Sequence, residues 1–224
     1  MKVLIITGGN IDDDFASSFL KKNYYDEIIA VDGGLAFADR SDLSITHLVG
    51  DFDTIDGTIL EKYIHRSDIC VHQFIPEKDY TDTDIAVKLA LSLIKKHHSE
   101  ENEEMVIHIL GGTGSRLDHV LANLQMLKNI LDEDVRGIII DQNNIIEMIR
   151  GERVLKREEM TGTYVSLIPV TMELTGITLS GFKYPLENAS SHFGESLMVS
   201  NELLEEEGRI FIKEGMAWMI ISND

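Results

Sequence analysis

The sequence predicts an α/β domain on an open, mostly parallel, Rossmann-like sheet, followed by a smaller antiparallel β domain. The first observation is a change of period. Up to about Asp141, apolar strand-like runs alternate with helical patterns, whereas beyond Gly151 short alternating runs are broken by glycines. The second is Gly111-Gly112-Thr113-Gly114-Ser115-Arg116, which joins an apolar run to an amphipathic one. The third is that three other apolar runs also end in acidic or glycine-containing clusters. These features divide the chain into residues 1–150 and 151–224.

Val3–Ile6 reads as the first strand and Phe15–Lys22 as the helix after it. Ile28–Val31, His47–Val49 and Ile69–Ile75 read as further strands. Thr81 suits a helix N-cap with Asp84 three residues later, Ile85, Leu89 and Leu93 predict a buried stripe, and Lys95-Lys96-His97-His98 suits the negative helix end. Acidic Ser99–Glu104 reads as a solvated loop. Met105–Leu110 is a strand, Leu117, Val120, Leu121, Leu124, Leu127 and Leu131 mark a helix, and Gly137–Ile140 closes the α/β part. Thr163–Pro169, Glu173–Leu179, Arg209–Lys213 and Ala217–Ser222 then alternate as antiparallel strands do.

The 224 residues suffice for one or two real cores. Lysine and arginine number 20 against 39 acids, and the formal charge of −19 would repel nucleic acid and anionic membranes. An anionic ligand must overcome that field, which gives weight to local cations such as Arg116 and Lys78. The one cysteine, Cys70, forms no intramolecular disulfide and fits a reducing compartment. Val3–Ile6 is too short for a signal peptide or a membrane span, so a cytoplasmic location is expected.

Glycines between a strand and a helix suit a phosphate cradle, because side-chain-free backbone lets N–H groups approach an anion at a helix start. Arg116 adds a guanidinium fork. No Lys-Ser/Thr pair follows the last glycine, so this is not a P-loop, and Leu117 occupies the third glycine position of the dinucleotide fingerprint. The clusters Asp32-Gly33-Gly34, Gly50-Asp51-Phe52-Asp53-Thr54 and Lys78-Asp79-Tyr80-Thr81-Asp82-Thr83-Asp84 close strands of the same sheet. In a parallel sheet they would meet at one crevice. Asp51 and Asp53 would share a face if extended, and magnesium suits a carboxylate pair facing phosphate oxygens.

Each residue also has a plainer reading. Asp32, Asp51 and Asp79 fit turns at strand ends, and Asp82 fits the first turn of a helix with no ligand at all. Asp84 is read as a cap, and His119 as support for Asp118. Trp218 suits a core or an interface, or else the wall of a pocket for a flat aromatic cation. The eight histidines lack zinc-ligand spacing.

The ordered motifs Asp32-Gly33-Gly34, Gly50 to Thr54, Lys78 to Asp82 and Gly111 to His119, then Ala122-Asn123-Leu124, resemble the thiamine pyrophosphokinase family. Gly181-Phe182-Lys183-Tyr184-Pro185-Leu186 and Ser200-Asn201 extend the resemblance over nearly the whole chain. It departs at Thr54, where serine is common, and at Met198-Val199, where smaller residues are expected. The resemblance implies an N-terminal α/β catalytic domain binding ATP and magnesium, and a C-terminal β-sandwich binding thiamine. It implies pyrophosphoryl transfer from ATP to the thiamine hydroxyethyl group, giving thiamine diphosphate and AMP, in a homodimer with thiamine at the subunit interface.

Carried onto this chain, the resemblance makes Asp51, Asp53 and Asp82 metal ligands. Asp32, Gly33, Gly34, Lys78, Gly111, Gly112, Thr113, Gly114 and Arg116 would bind the nucleotide. Asp79 or Asp118 would orient the attacking hydroxyl or take its proton, with Arg116 as a further catalytic group. Asp118, Ser200, Asn201 and Trp218 would contact thiamine. Two other classes compete. Asp51-Phe52-Asp53-Thr54-Ile55 echoes the haloacid-dehalogenase phosphatases, but Gly50 precedes it, Ile55 replaces Thr or Val, and an aspartyl nucleophile needs no glycine cradle. A non-catalytic thiamine or nucleotide sensor would not need to keep every acidic cluster.

Overall fold

Runs such as Val3–Ile6 and Ile107–Leu110 carry no polar alternation apart from His108, as strands covered on both faces require. In the computed structural model, which describes residues 1–74, 79–97 and 104–223, they form the centre of a parallel sheet. The chain divides into two compact units, Met1–Gln142 and Asn143–Asp224.

In the first unit the strands are β1 (Lys2–Ile6), β2 (Glu27–Val31), β3 (His47–Gly50), β4 (Cys70–Gln73), β5 (Val106–Leu110) and β6 (Arg136–Ile140). Their order is β4-β3-β2-β1-β5-β6, and each neighbouring pair is parallel. The chain steps outward from β1 to β4 and then returns to β5, so the direction of winding reverses between β1 and β5. That reversal opens a crevice at the carboxyl ends of these two strands. The helices are α1 (Asp13–Lys22), α2 (Gly34–Arg40), α3 (Gly57–Ile64), α4 (Asp82–Lys96) and α5 (Leu117–Asp132). Within β5, buried His108 takes part in a 2.6 Å hydrogen bond with the Tyr25 hydroxyl, and burial lowers its pKa to about 4. It is a neutral core histidine.

Two helices differ from the sequence expectation. On α4 the fully buried positions are Thr83, Ala86, Val87, Ala90 and Ile94, while Ile85, Leu89 and Leu93 are half-buried. The alanines let the helix axis approach the sheet, and the larger side chains take the flank. On α5 only Met126, Leu127 and Ile130 are buried, and Leu117 is 67% exposed. The C-terminal half packs against β6, whereas the first turn follows directly from the glycine loop. Thr81 caps α4 as expected, its hydroxyl accepting the Asp84 N–H at 3.2 Å. Ser99–Glu104 lies outside the described residues except for exposed Glu104.

The second unit contains β7 (Asn144–Lys156), β8 (Tyr164–Pro169), β9 (Glu173–Ser180), β10 (Leu186–His192), β11 (Asn201–Glu202) and β12 (Glu207–Ser222). Its pairings are antiparallel. The two runs read as separate strands, Arg209–Lys213 and Ala217–Ser222, are one long strand, β12. They look separate because of a bulge: Lys213–Met216 cover what β7 covers with Arg150 alone, and Gly215 takes φ 103°. A bulge inverts the alternation, so Ile210 and Ile212 before it and Ala217, Met219 and Ile221 after it all enter one core. β9 joins β12 before the bulge and β8 joins it after, with Leu174, Ile177, Val165 and Leu167 lining the same core. Gly151, where the sequence period changes, lies inside β7.

Candidate active site

Four strand ends of the first unit surround a cavity of about 700 Å³. Thr7–Asn10 enter it after β1, Asp32 and Gly33 after β2, Asp51 and Thr54 after β3, and Gly111–Arg116 after β5. Asp79–Thr83, at the start of α4, complete the wall with His119, Val120 and Asn123 of α5.

Glycine makes the close approaches possible. A Cβ on Gly34 would stand 2.1 Å from the Ile6 carbonyl oxygen, so only glycine lets α2 begin against the end of β1. Gly34 is therefore a buried packing residue outside the cavity lining, while Gly33 lines the cavity. A Cβ on Gly50 would stand 1.8 Å from Asp32 Oδ1, so Gly50 leaves the space that the Asp32 carboxylate fills.

Asp32 sits at φ 41° and its carboxylate accepts the Phe52 N–H at 3.4 Å. Burial, then the charge and hydrogen bond of Asp82, with a smaller effect from Asp51, push its carboxyl up to about 7. Asp51, after β3, and Asp82, at the start of α4, thus both act on the Asp32 carboxylate that follows β2. Like charges this close favour either a shared proton or a cation. Asp32, assigned from sequence to the nucleotide, belongs to this acidic group. Among the described residues no set of three or more His, Cys, Asp or Glu is arranged to hold an ion by itself. Magnesium, which keeps waters and phosphate oxygens as partners, does not require such a cage.

The extended geometry expected for Asp51 and Asp53 is absent. Phe52 takes φ 67° and Asp53 N–H turns back to Asp51 Oδ1 at 3.2 Å. Asp51 lines the cavity, and Asp53 is exposed and outside the lining. A left-handed residue between two acids breaks the two-residue alternation on which the shared face depended.

The glycine loop is held by a second loop. Gly9 N–H donates to the Gly111 carbonyl at 3.0 Å and Asn10 N–H to the Thr113 carbonyl at 2.9 Å. Thr113 Oγ1 donates to Asp141 Oδ2 at 2.9 Å, and Asn123 Nδ2 to the Gly112 carbonyl at 2.8 Å. Thr7–Asn10 and Asn123 were not singled out as site residues from sequence. The available signal was Gly8-Gly9 directly after the first strand-like run, the placement that drew attention to the other clusters.

Arg116 opens α5 and lines the cavity, but its guanidinium is held by Asp118, with Nη2 to Oδ2 at 2.7 Å. Both side chains are exposed, and Arg116 keeps the Asp118 carboxyl below its ordinary pKa. Asp118 itself does not line the cavity, whereas Asp79 does. Tyr80, another wall residue, lies under Lys88, whose Nζ is 3.1 Å from the ring centroid. Lys78 lies outside the described residues.

Ser200, Asn201 and Trp218 belong to the second unit. Trp218 is half-buried between the core residues Ala217 and Met219 of β12, so it occupies the opposite face, beside Ile168. Exposed Ser200 sits at φ 58° and donates its N–H to Ser166 Oγ at 3.0 Å. Asn201 is 5% exposed and its amide is occupied internally. Oδ1 accepts from Tyr184 N–H at 3.0 Å and Glu202 N–H at 2.9 Å, while Nδ2 donates to the Tyr184 carbonyl at 2.9 Å. The sequence expectation placed Asn201 in contact with thiamine, but a side chain already paired to a neighbouring backbone acts as a brace. Asn201→Ala orphans these backbone groups, and a loss of about 2–4 kcal/mol in stability is expected. Thermal unfolding of the purified variant checks this, and an unchanged midpoint with weaker thiamine binding would restore the direct-contact role.

Two family models match the chain: thiamin pyrophosphokinase, catalytic domain, over residues 20–139, and thiamin pyrophosphokinase, vitamin B1 binding domain, over residues 152–217. Thiamine pyrophosphokinase of Bacillus subtilis (strain 168) is 34% identical over 197 residues, 88% of this chain and 87% of its own. Thiamin pyrophosphokinase 1 of Caenorhabditis elegans is 30% identical over 83% of this chain and 74% of its own. The crystal structure of thiamine pyrophosphokinase from Bacillus subtilis superposes with TM-score 0.84 at 30% identity, covering 100% of both chains. The solved structure of thiamin pyrophosphokinase from Candida albicans, at 19% identity and TM-score 0.81, shares the fold.

Proposed function

Because the chain belongs to the thiamine pyrophosphokinase family, we propose that it transfers the pyrophosphoryl group of ATP to the hydroxyethyl oxygen of thiamine. The observation that carries this reading is a cavity at the β1/β5 switch point in which acidic strand ends accompany a glycine-rich anion cradle. The new bond joins the thiamine oxygen to the β-phosphorus. The bond from that phosphorus to the α-phosphate bridging oxygen breaks, and AMP leaves.

Catalysis of this kind rests mainly on positioning and charge neutralisation. The Gly111–Gly114 backbone, Gly33, Arg116 and Lys78 would bind the phosphates, with Gly34 setting the turn behind them. Asp51 and Asp82, with Asp32 against them and Asp53 adjoining, are the carboxylates suited to a divalent cation such as magnesium, which when bound would neutralise phosphate charge. Asp79 or Asp118 would take the hydroxyl proton. Asp118 gains proton affinity once Arg116 leaves it for phosphate, because that pairing is what lowers its pKa. Ser200 and Trp218 would contact thiamine from a sheet face of the second unit.

The homodimer belongs to the same proposal, supported by the exposed apolar side chains Leu117, Leu121, Phe193 and Leu197. A cytoplasmic setting is supported by the single cysteine. Among the described residues no helix is long and apolar enough to cross a membrane. Nucleic acid is disfavoured as a partner by the charge of −19.

Incubation with ATP, magnesium and thiamine tests the function. AMP and thiamine diphosphate formed together, and only with thiamine present, are expected. Inorganic phosphate released without an acceptor would indicate a phosphatase, and ligand binding without turnover a sensor. Arg116→Lys, which keeps the charge but loses the planar fork, should raise the KM for ATP about tenfold and leave that for thiamine unchanged. An effect confined to thiamine would mean that Arg116 serves the other substrate.

A further inference from the structure

The carbonyls of Gly111, Gly112 and Thr113, three in succession, each accept a hydrogen bond from outside their own loop. Gly9 N–H and Asn10 N–H take the outer two, and the middle one is held by the Asn123 side chain from the second turn of α5. A trans peptide is planar and sets its N–H opposite its C=O. Fixing these carbonyls therefore fixes the directions of the Gly112, Thr113 and Gly114 N–H groups, which belong to cavity-lining residues. The neighbouring Gly111, at φ 71°, has the conformational freedom to let these peptides rotate if they are released.

We infer that Asn123 is a positioning residue for phosphoryl transfer: its amide locks the Gly112–Thr113 peptide so that the loop meets the phosphate chain with its N–H groups already aligned. This inference rests on the proposed ATP-dependent function. Prealigned donors act at the developing charge without reorganising during the reaction, which is where such groups have their largest effect. The outer carbonyls are held by backbone and cannot be tested by side-chain deletion. The middle one can.

Asn123→Asp keeps the shape but sets a carboxylate oxygen against the Gly112 carbonyl, and Asn123→Ala removes the contact. Both are to be compared with wild type and with Gln125→Ala, at an exposed position of the same helix. Steady-state kinetics in each substrate, thermal unfolding, and calorimetry with magnesium and a non-hydrolysable ATP analogue are read together. Expected is a fall in kcat/KM for ATP of about ten- to a hundredfold in both variants, Asn123→Asp the more severe. Analogue binding should weaken in parallel, with the thiamine KM and melting temperature near wild type and Gln125→Ala unaffected. ATP kinetics unchanged in both variants, or equal loss for both substrates accompanied by a lowered melting temperature, would overturn the inference. If wild type neither binds the analogue nor forms AMP, the functional reading falls and this inference with it. Wild-type turnover with indifferent Asn123 variants rejects the inference alone.

Discussion

Asp51→Asn is expected to lower turnover at least about a hundredfold at saturating magnesium while the fold stays intact. The fold should survive because the contact Asp51 makes, accepting the Asp53 N–H, is equally available to an asparagine oxygen. Stability in the absence of metal should even rise slightly, since the variant removes one of the negative charges that add to burial in pushing the Asp32 carboxyl up to about 7. The loss would fall on catalysis, because in the proposed reaction each carboxylate would help to hold a divalent cation that neutralises phosphate charge. Asp82→Asn should behave similarly, because Asp82 opens α4 beside the same group. Turnover measured across a magnesium titration, with melting curves with and without the ion, gives the answer. The parent should be stabilised by magnesium and the variants much less. Near-normal turnover in both at saturating magnesium would remove the metal role from this cluster.

Gly9→Ala should be severely damaging although it adds only a methyl group. A Cβ there would stand 2.2 Å from both the Gly111 and the Thr113 carbonyl oxygens. Neither is a side chain that can swing aside, so the two loops must part and the Gly9 and Asn10 hydrogen bonds must lengthen or break. Overpacking of this kind costs about 1–3 kcal/mol, and the two bonds add roughly 1 kcal/mol each. The expected outcome is a destabilised protein whose use of ATP falls at least about a hundredfold, because the glycine loop proposed to bind phosphate loses its partner. Gly57→Ala is the control, since nothing lies within 4 Å of a Cβ at that site. Melting temperature and kcat/KM for ATP decide the matter. Wild-type values in Gly9→Ala would show that the loop pairing is dispensable.

Much of this molecule is legible in the sequence, for local reasons. Strands covered on both faces need nearly continuous apolar residues, so β1, β2, β3 and β5 announce themselves, and the N-cap geometry of Thr81 follows from short-range hydrogen bonding alone. The convergence of the strand-end clusters also follows, because parallel strands share one carboxyl edge. Other features depend on partners distant along the chain. The bulge at Gly215 inverts the alternation and disguises one strand as two, and the depth to which α4 sinks depends on alanines meeting a sheet that local periodicity does not describe. Asn201 read as a ligand group because an amide can bond to anything. Only the fold brought the Tyr184 backbone to it. Sequence likewise determined that Asp32 and Asp51 follow strands and that Asp82 falls in the first turn of a helix, and tertiary structure decided that the charges of Asp82 and Asp51 act on Asp32. Charge interactions depend on distance and burial, and both are set by packing between segments far apart in the chain.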